Sequence, residues 1–189
     1  MRNKVILSVL TFTMIVLSCK EETLPKPKAQ LRLEYEHPKE GPLEMEDYRF
    51  VRNQLSSLKS KNGQSLTLDY PMMNGSIFIT YKTVNNNLEK LLSDAQRLSY
   101  EHAVKADGIL EQPFVNEEDK VYGMLYEVTG NAASQSQFYL TDSISHFVTG
   151  SLYFYAKPNY DSIYPAAVYL QRDIRRIMET LRWKENTKP

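Results

Sequence analysis

"VYGMLYEVTGNAASQSQFYLTDSISHFVTGSLYFYA", residues 121–156, decides how the chain folds. Three runs rich in β-branched and aromatic residues, Val121–Thr129, Gln135–Thr141 and Phe147–Ala156, are separated only by "GNAAS" and "DSIS". Links that short join antiparallel neighbours, because a parallel crossover takes about a dozen residues or more. Three consecutive antiparallel strands are therefore predicted here.

The same logic extends upstream. Leu66, Leu68 and Tyr70 alternate with Thr67 and Asp69, and the alternation resumes at Ile77, Ile79 and Tyr81 after Asn74-Gly75. That pair supplies the positive φ of a tight reversal, so a hairpin is predicted. Leu88, Leu91, Leu92, Ala95, Leu98, His102 and Ala106 keep helical spacing, with Asn86 and Glu89 as a capping pair and Gly108 as the stop. Leu31–Tyr35 alternates as a half-buried strand, and His37-Pro38 through Gly41-Pro42 breaks it. Residues 44–60 stay open, with Tyr48–Val51 as a possible strand. Downstream, Pro158 and Pro165 bracket a turn. Ile163, Ala166, Ala167, Leu170, Ile174, Ile177, Met178 and Leu181 then line a final helix, whose solvated face carries Arg172, Asp173, Arg175, Arg176 and Glu179.

Hairpins dominate this order and no β-α-β crossover appears, so the expected class is α+β, an antiparallel sheet of about five to seven strands with two main helices. The element order is similar to that of the PsbP and Mog1 sandwiches. Fold alone would not give function.

Composition narrows the function. The chain has 189 residues, 42% hydrophobic and 24% charged, which suits one folded domain. Lys and Arg total 23, as do Asp and Glu, leaving no electrostatic footprint for nucleic acid. One cysteine excludes an internal disulfide, a cysteine-rich zinc site and a Cys-x-x-Cys pair.

That cysteine ends an N-terminal device. Arg2 and Lys4 precede an apolar run, Val5–Leu17, which is shorter than the ~20 residues of a spanning helix and is expected to be a signal peptide over residues 1–18. Val16-Leu17-Ser18-Cys19 resembles a bacterial lipobox, with Cys19 as acceptor of a diacylglycerol and further acyl chains. Several chains hold a protein on a membrane where one would let go. Cleavage would leave 21 basic against 23 acidic residues. Residues 19–30 are expected to form a lipidated tether, stiffened by Pro25 and Pro27 and spanning on the order of 30 Å. A single domain then occupies residues 31–184 and a short tail 185–189.

No catalytic or metal site is predicted. His37, His102 and His146 lie in no metal-binding spacing, and no nucleophile elbow, phosphate loop or dinucleotide fingerprint occurs. Glu101, His102, Lys105 and Asp107 cluster near the end of the first helix, where a hydrogen-bonded boundary histidine is the plainer reading. "VTGNAASQS" reads as a polar turn. Glu117, Glu118 and Asp119 read as solvated loop carboxylates.

The runs from Ser76 to Ser143 and from His146 to Lys184 resemble the gliding motility lipoprotein GldD family of Bacteroidota. The pieces that carry the resemblance most distinctly are His102–Asp107, Val121-Tyr122-Gly123 and Gly130–Ser134. The resemblance implies a non-catalytic, outer-membrane-anchored envelope protein linked to gliding and type IX secretion, with other proteins of that machinery as partners and no cofactor beyond the lipid on Cys19. It makes His102, Lys105, Asp107, Asn131 and Ser134 candidates for a partner surface. Lys20-Glu21-Glu22 resembles a surface-export signal of such lipoproteins, and equally the start of a solvated tether, so the membrane face stays open. Two other classes compete. A binding module for an apolar or glycan ligand would need a deep pocket lined by tyrosines. An envelope hydrolase would need a nucleophile with its base, or paired carboxylates.

Overall fold

Seven antiparallel strands form the main sheet, in spatial order β3 (Ser57–Lys61), β4 (Ser65–Tyr70), β5 (Gly75–Thr83), β9 (His146–Phe154), β8 (Ser136–Thr141), β7 (Val121–Gly130) and β6 (Ala106–Asn116). A second sheet joins β1 (Glu40–Glu44), β2 (Tyr48–Asn53) and the short β10 (Arg182–Trp183). Two helices complete the order, α1 (Leu88–His102) and α2 (Tyr160–Thr180). This is a computed structural model describing residues 33–61, 63–102, 105–156 and 159–184. The fold described is that of the compact unit within residues 31–189. Cys19, Lys20, Glu21 and Glu22 lie outside the described residues, as does the side chain of His102.

The α+β class with antiparallel sheets stands as read. Period-two alternation puts Leu66, Leu68, Ile77, Ile79, Val148 and Leu152 on one face of the large sheet. There they pack with Leu170, Ile174 and Ile177 of α2 and with Tyr48 and Phe50 of β2. Each fully buried aliphatic side chain contributes about 1.5–3 kcal/mol, so this layer is the main source of stability. Gly150 leaves room for the ring of Phe138, its cross-strand partner. Tyr126 alternates to the opposite face, where Tyr100 of α1 meets it edge-on at 6.5 Å.

Turn chemistry explains the connections. Pro71–Met73 forms a single 3-10 turn after β4, and Asn74, at φ 48°, reverses the chain into Gly75. Asp142 closes the β8–β9 turn by accepting backbone N–H bonds from Ile144, Ser145 and His146 at 2.9, 2.8 and 2.8 Å.

Four expectations need correction. The first helix ends at His102, and Ala106 and Gly108 belong to β6, an eleven-residue strand. Its acids and Pro113 hide the strand pattern, and a proline is tolerated there because β6 is an edge. That helix closes its first turn on the carbonyl of Asn87, while Asn86 sits in the left-handed region at φ 56°. Residues 33–35 pair with no strand; Leu33 is half exposed and Tyr35 packs against Tyr169 at 5.5 Å. Pro165 lies inside α2, in its second turn, where the helical bond it removes is one to the carbonyl of exposed Asp161. Residues 40–61, largely left open by the sequence, contain β1, β2 and β3.

Candidate functional site

Strand ends bring the distinctive polar pieces together. Ala106 pairs with Gly130 and Gly108 with Thr129, so Asp107 is the extra residue of a β-bulge at the start of β6. Gly130 has φ 90°, and a Cβ there would lie 2.6 Å from the Asp107 nitrogen and 2.8 Å from its Cγ. Only glycine permits that approach. The next residue, Asn131, accepts a hydrogen bond from the backbone N–H of Tyr160 at 2.9 Å, capping α2 from another part of the chain. The N-cap residue of that helix, Asn159, makes no such side-chain bond. Lys105, Asp107 and Asn131 are all exposed at this corner.

Ser134 differs. It is fully buried, and its hydroxyl donates to the carbonyls of Ser136 and Leu152 at 3.1 and 2.9 Å. It therefore ties strand ends together and offers no surface, which corrects its place among the partner candidates. Gln135, also buried, donates from Nε2 to the carbonyls of Gly130 and Ala132 at 3.3 and 3.2 Å. The "GNAAS" turn is thus held from inside by Gln135, the residue that follows it, and is tied to the sheet at its last residue by Ser134.

A second cluster was not foreseen. Buried Asn53 donates from Nδ2 to Asp173 Oδ2 at 3.0 Å and to the Tyr169 hydroxyl at 2.9 Å. Its Oδ1 accepts from the backbone N–H of Lys39 at 3.2 Å and of Leu55 at 3.1 Å. The Tyr169 hydroxyl donates onward to the carbonyl of Glu36 at 2.9 Å. One asparagine therefore clasps α2, the β2–β3 turn and the entering segment 33–39. Asp173 is buried rather than solvated. Burial raises its pKa above the ordinary carboxylate value, against the opposing hydrogen bond from Asn53 and the charge of Arg176. The spacing held the signal, because Leu170, Asp173 and Ile177 are three and four apart and share one helical face.

Beside this clasp, Tyr35, Leu55, Tyr70, Pro71 and Met73 line a cleft of about 250 Å³. Small-molecule sites run from roughly 300 to 1,000 Å³, so this cleft lies just below that range. A groove of about 340 Å³ between Pro42, Arg49, Phe50, Thr180 and Arg182 lies within it but has no tyrosine in its lining. The carboxylates of residues 117–119 do not gather for catalysis. Asp119 pairs with Arg182 at 2.7 Å and accepts from Asn116 Nδ2 at 2.8 Å, while Glu117 and Glu118 are exposed. His146 is buried against Trp183 and bonded to the Tyr81 hydroxyl at 2.9 Å, and His37 is exposed elsewhere. Among the described residues no group of three or more His, Cys, Asp or Glu is placed to hold a metal ion. No described helix is long and apolar enough to cross a membrane.

Fold and site together define an α+β domain whose polar groups cap helices, close turns and clasp chain segments. The chain belongs to the gliding motility lipoprotein GldD family, whose model matches residues 20–183. This is a lipoprotein family and not a known enzyme family, and its members are held to a membrane by lipid. No curated protein matches the chain.

Proposed function

We propose that this lipoprotein is non-catalytic, is anchored in the outer membrane through lipid on Cys19, and supports assembly or stability of the gliding and type IX secretion machinery through protein contacts. Lys105, Asp107 and Asn131 form the partner surface, with His102 beside them in the chain. Lys20-Glu21-Glu22 acts as the sorting label that selects the membrane face. The supporting observation is that Asn131 is exposed together with Lys105 and Asp107, which lie far from it in sequence, where β6 begins and β7 ends, on a turn fixed from within. A rigid exposed polar corner suits recognition better than catalysis, because none of its groups is paired as nucleophile and base.

The test is a Lys105→Ala, Asp107→Ala double variant expressed in the gliding organism. Colony spreading should fall while the amount of protein in the membrane fraction is unchanged. Normal spreading at normal abundance would overturn the reading. Protease shaving of intact cells, with a periplasmic control, assigns the face.

A further inference from the structure

Apolar side chains from separate parts of the chain gather where β4 turns into β5. Met72, at the apex of the 3-10 turn, is 90% exposed, more than any other large hydrophobic residue described; the next, Ile144, is 73% exposed and lies in the β8–β9 turn. Tyr155, 58% exposed, is fastened to the same turn by a 2.7 Å bond from its backbone N–H to the carbonyl of Asn74. Lys59 lies 5.1 Å from the Tyr155 ring centroid and reaches back to Asp69 at 3.0 Å. Glu34, Tyr35 and Glu36 line the cleft beside Met72, and Leu33, 48% exposed, precedes them.

The described chain begins here. Leu33 is its first residue, and only residues 20–32 separate it from Cys19, a stretch that spans at most about 50 Å when fully extended. The lipid-bearing end therefore enters the domain at the corner that carries its most exposed apolar side chain. An apolar apex, a flanking tyrosine with its ring half out, and a lysine whose ammonium sits over that ring are the elements of a membrane-interface contact. The surrounding charges are mixed, Glu34 and Glu36 against Lys39, Arg52 and Lys59, so no single-sign field selects an anionic surface. These few side chains fall short of the roughly 800 Å² per partner of a stable protein interface. A surface already held close by lipid needs far less.

We propose that this corner is a second membrane contact, with Met72 and Leu33 entering the headgroup boundary of a zwitterionic bilayer and Tyr155 lying at headgroup level. The proposal rests on Cys19 as the lipid acceptor. Its test uses the chain's one tryptophan as a control. Trp183 stacks on His146 at the start of β9, whereas the Met72 turn adjoins the other end of that nine-residue strand, about 26 Å away. Lipidated wild-type protein and the Met72→Trp variant are incorporated into phosphatidylcholine and phosphatidylethanolamine vesicles with or without brominated acyl chains.

Both proteins should float with the vesicles. The emission added by Met72→Trp should be blue-shifted and largely lost on brominated lipid, while Trp183 emission is unaffected. Flotation without preferential quenching would overturn the membrane contact and leave the lipid anchor standing. Failure to float would overturn both. A blue shift that depends on protein concentration and ignores bromine would replace the bilayer with a second copy of the chain.

Discussion

Asn131 reaches from the β7–β8 turn to accept the backbone N–H of Tyr160 at 2.9 Å, so a loop residue caps the helix that builds the core. Loss of an N-cap costs about 1 kcal/mol. Asn131→Ala should lower the unfolding free energy, measured by urea denaturation, by that amount, and Asn131→Asp should restore most of it. If gliding fails in both variants while stability recovers in the second, Asn131 also serves as a contact.

Gly130→Ala should cost roughly 1–3 kcal/mol, since the added Cβ meets Asp107 and the positive φ is strained for any other residue. Thermal unfolding measures the loss. An unchanged midpoint would mean that the bulge relaxes away from Gly130.

Asp142 and Asp173 should tilt the pH profile in opposite directions. Burial would raise the Asp142 pKa, yet three backbone N–H bonds and His146 bring it below the usual value. Its stabilising contribution is therefore present above the unfolded-state pKa of about 3.9 and is lost as pH falls through the lower folded value. Asp173, raised by burial, favours the folded state when protonated. Its contribution is complete below the unfolded pKa and disappears as pH rises through the folded one. Urea midpoints measured across the acid range should fall more gently toward low pH in Asp142→Asn. In Asp173→Asn the decline toward neutral pH should be absent.

Tyr169→Phe removes the hydroxyl that links Asn53 to the Glu36 carbonyl. The expected loss is about 1 kcal/mol, and it should be local. Hydrogen exchange should quicken across residues 33–39 while core strands keep their protection. Uniform acceleration would show that the clasp is part of the global fold.

Much of this architecture was legible because period-two alternation and turn residues coincide. Leu66–Tyr70, Asn74-Gly75 and Ile77–Tyr81 announce a hairpin, and the short links after Val121 announce the next three strands. Strand β6 escaped notice because Pro113 and its acids are acceptable only on an edge, and edge status depends on partners. Asp173 looked solvated by type, although its helical phase placed it with Leu170 and Ile177. Lys105, Asp107 and Asn131 were legible singly, while their meeting at one corner depends on the pairing of Ala106 with Gly130.

The clasp around Asn53 also has a mechanical meaning. Any pull arriving from the N-terminal side would reach the domain through residues 33–39, which belong to no sheet. That segment is held by the Tyr169–Glu36 and Asn53–Lys39 bonds and by the Tyr35–Tyr169 ring contact. These contacts precede β1 in the chain, so a pull from that side would meet them before it reached the β1–β2 ladder. The entering segment is a built-in slack line that lengthens before the folded core is strained.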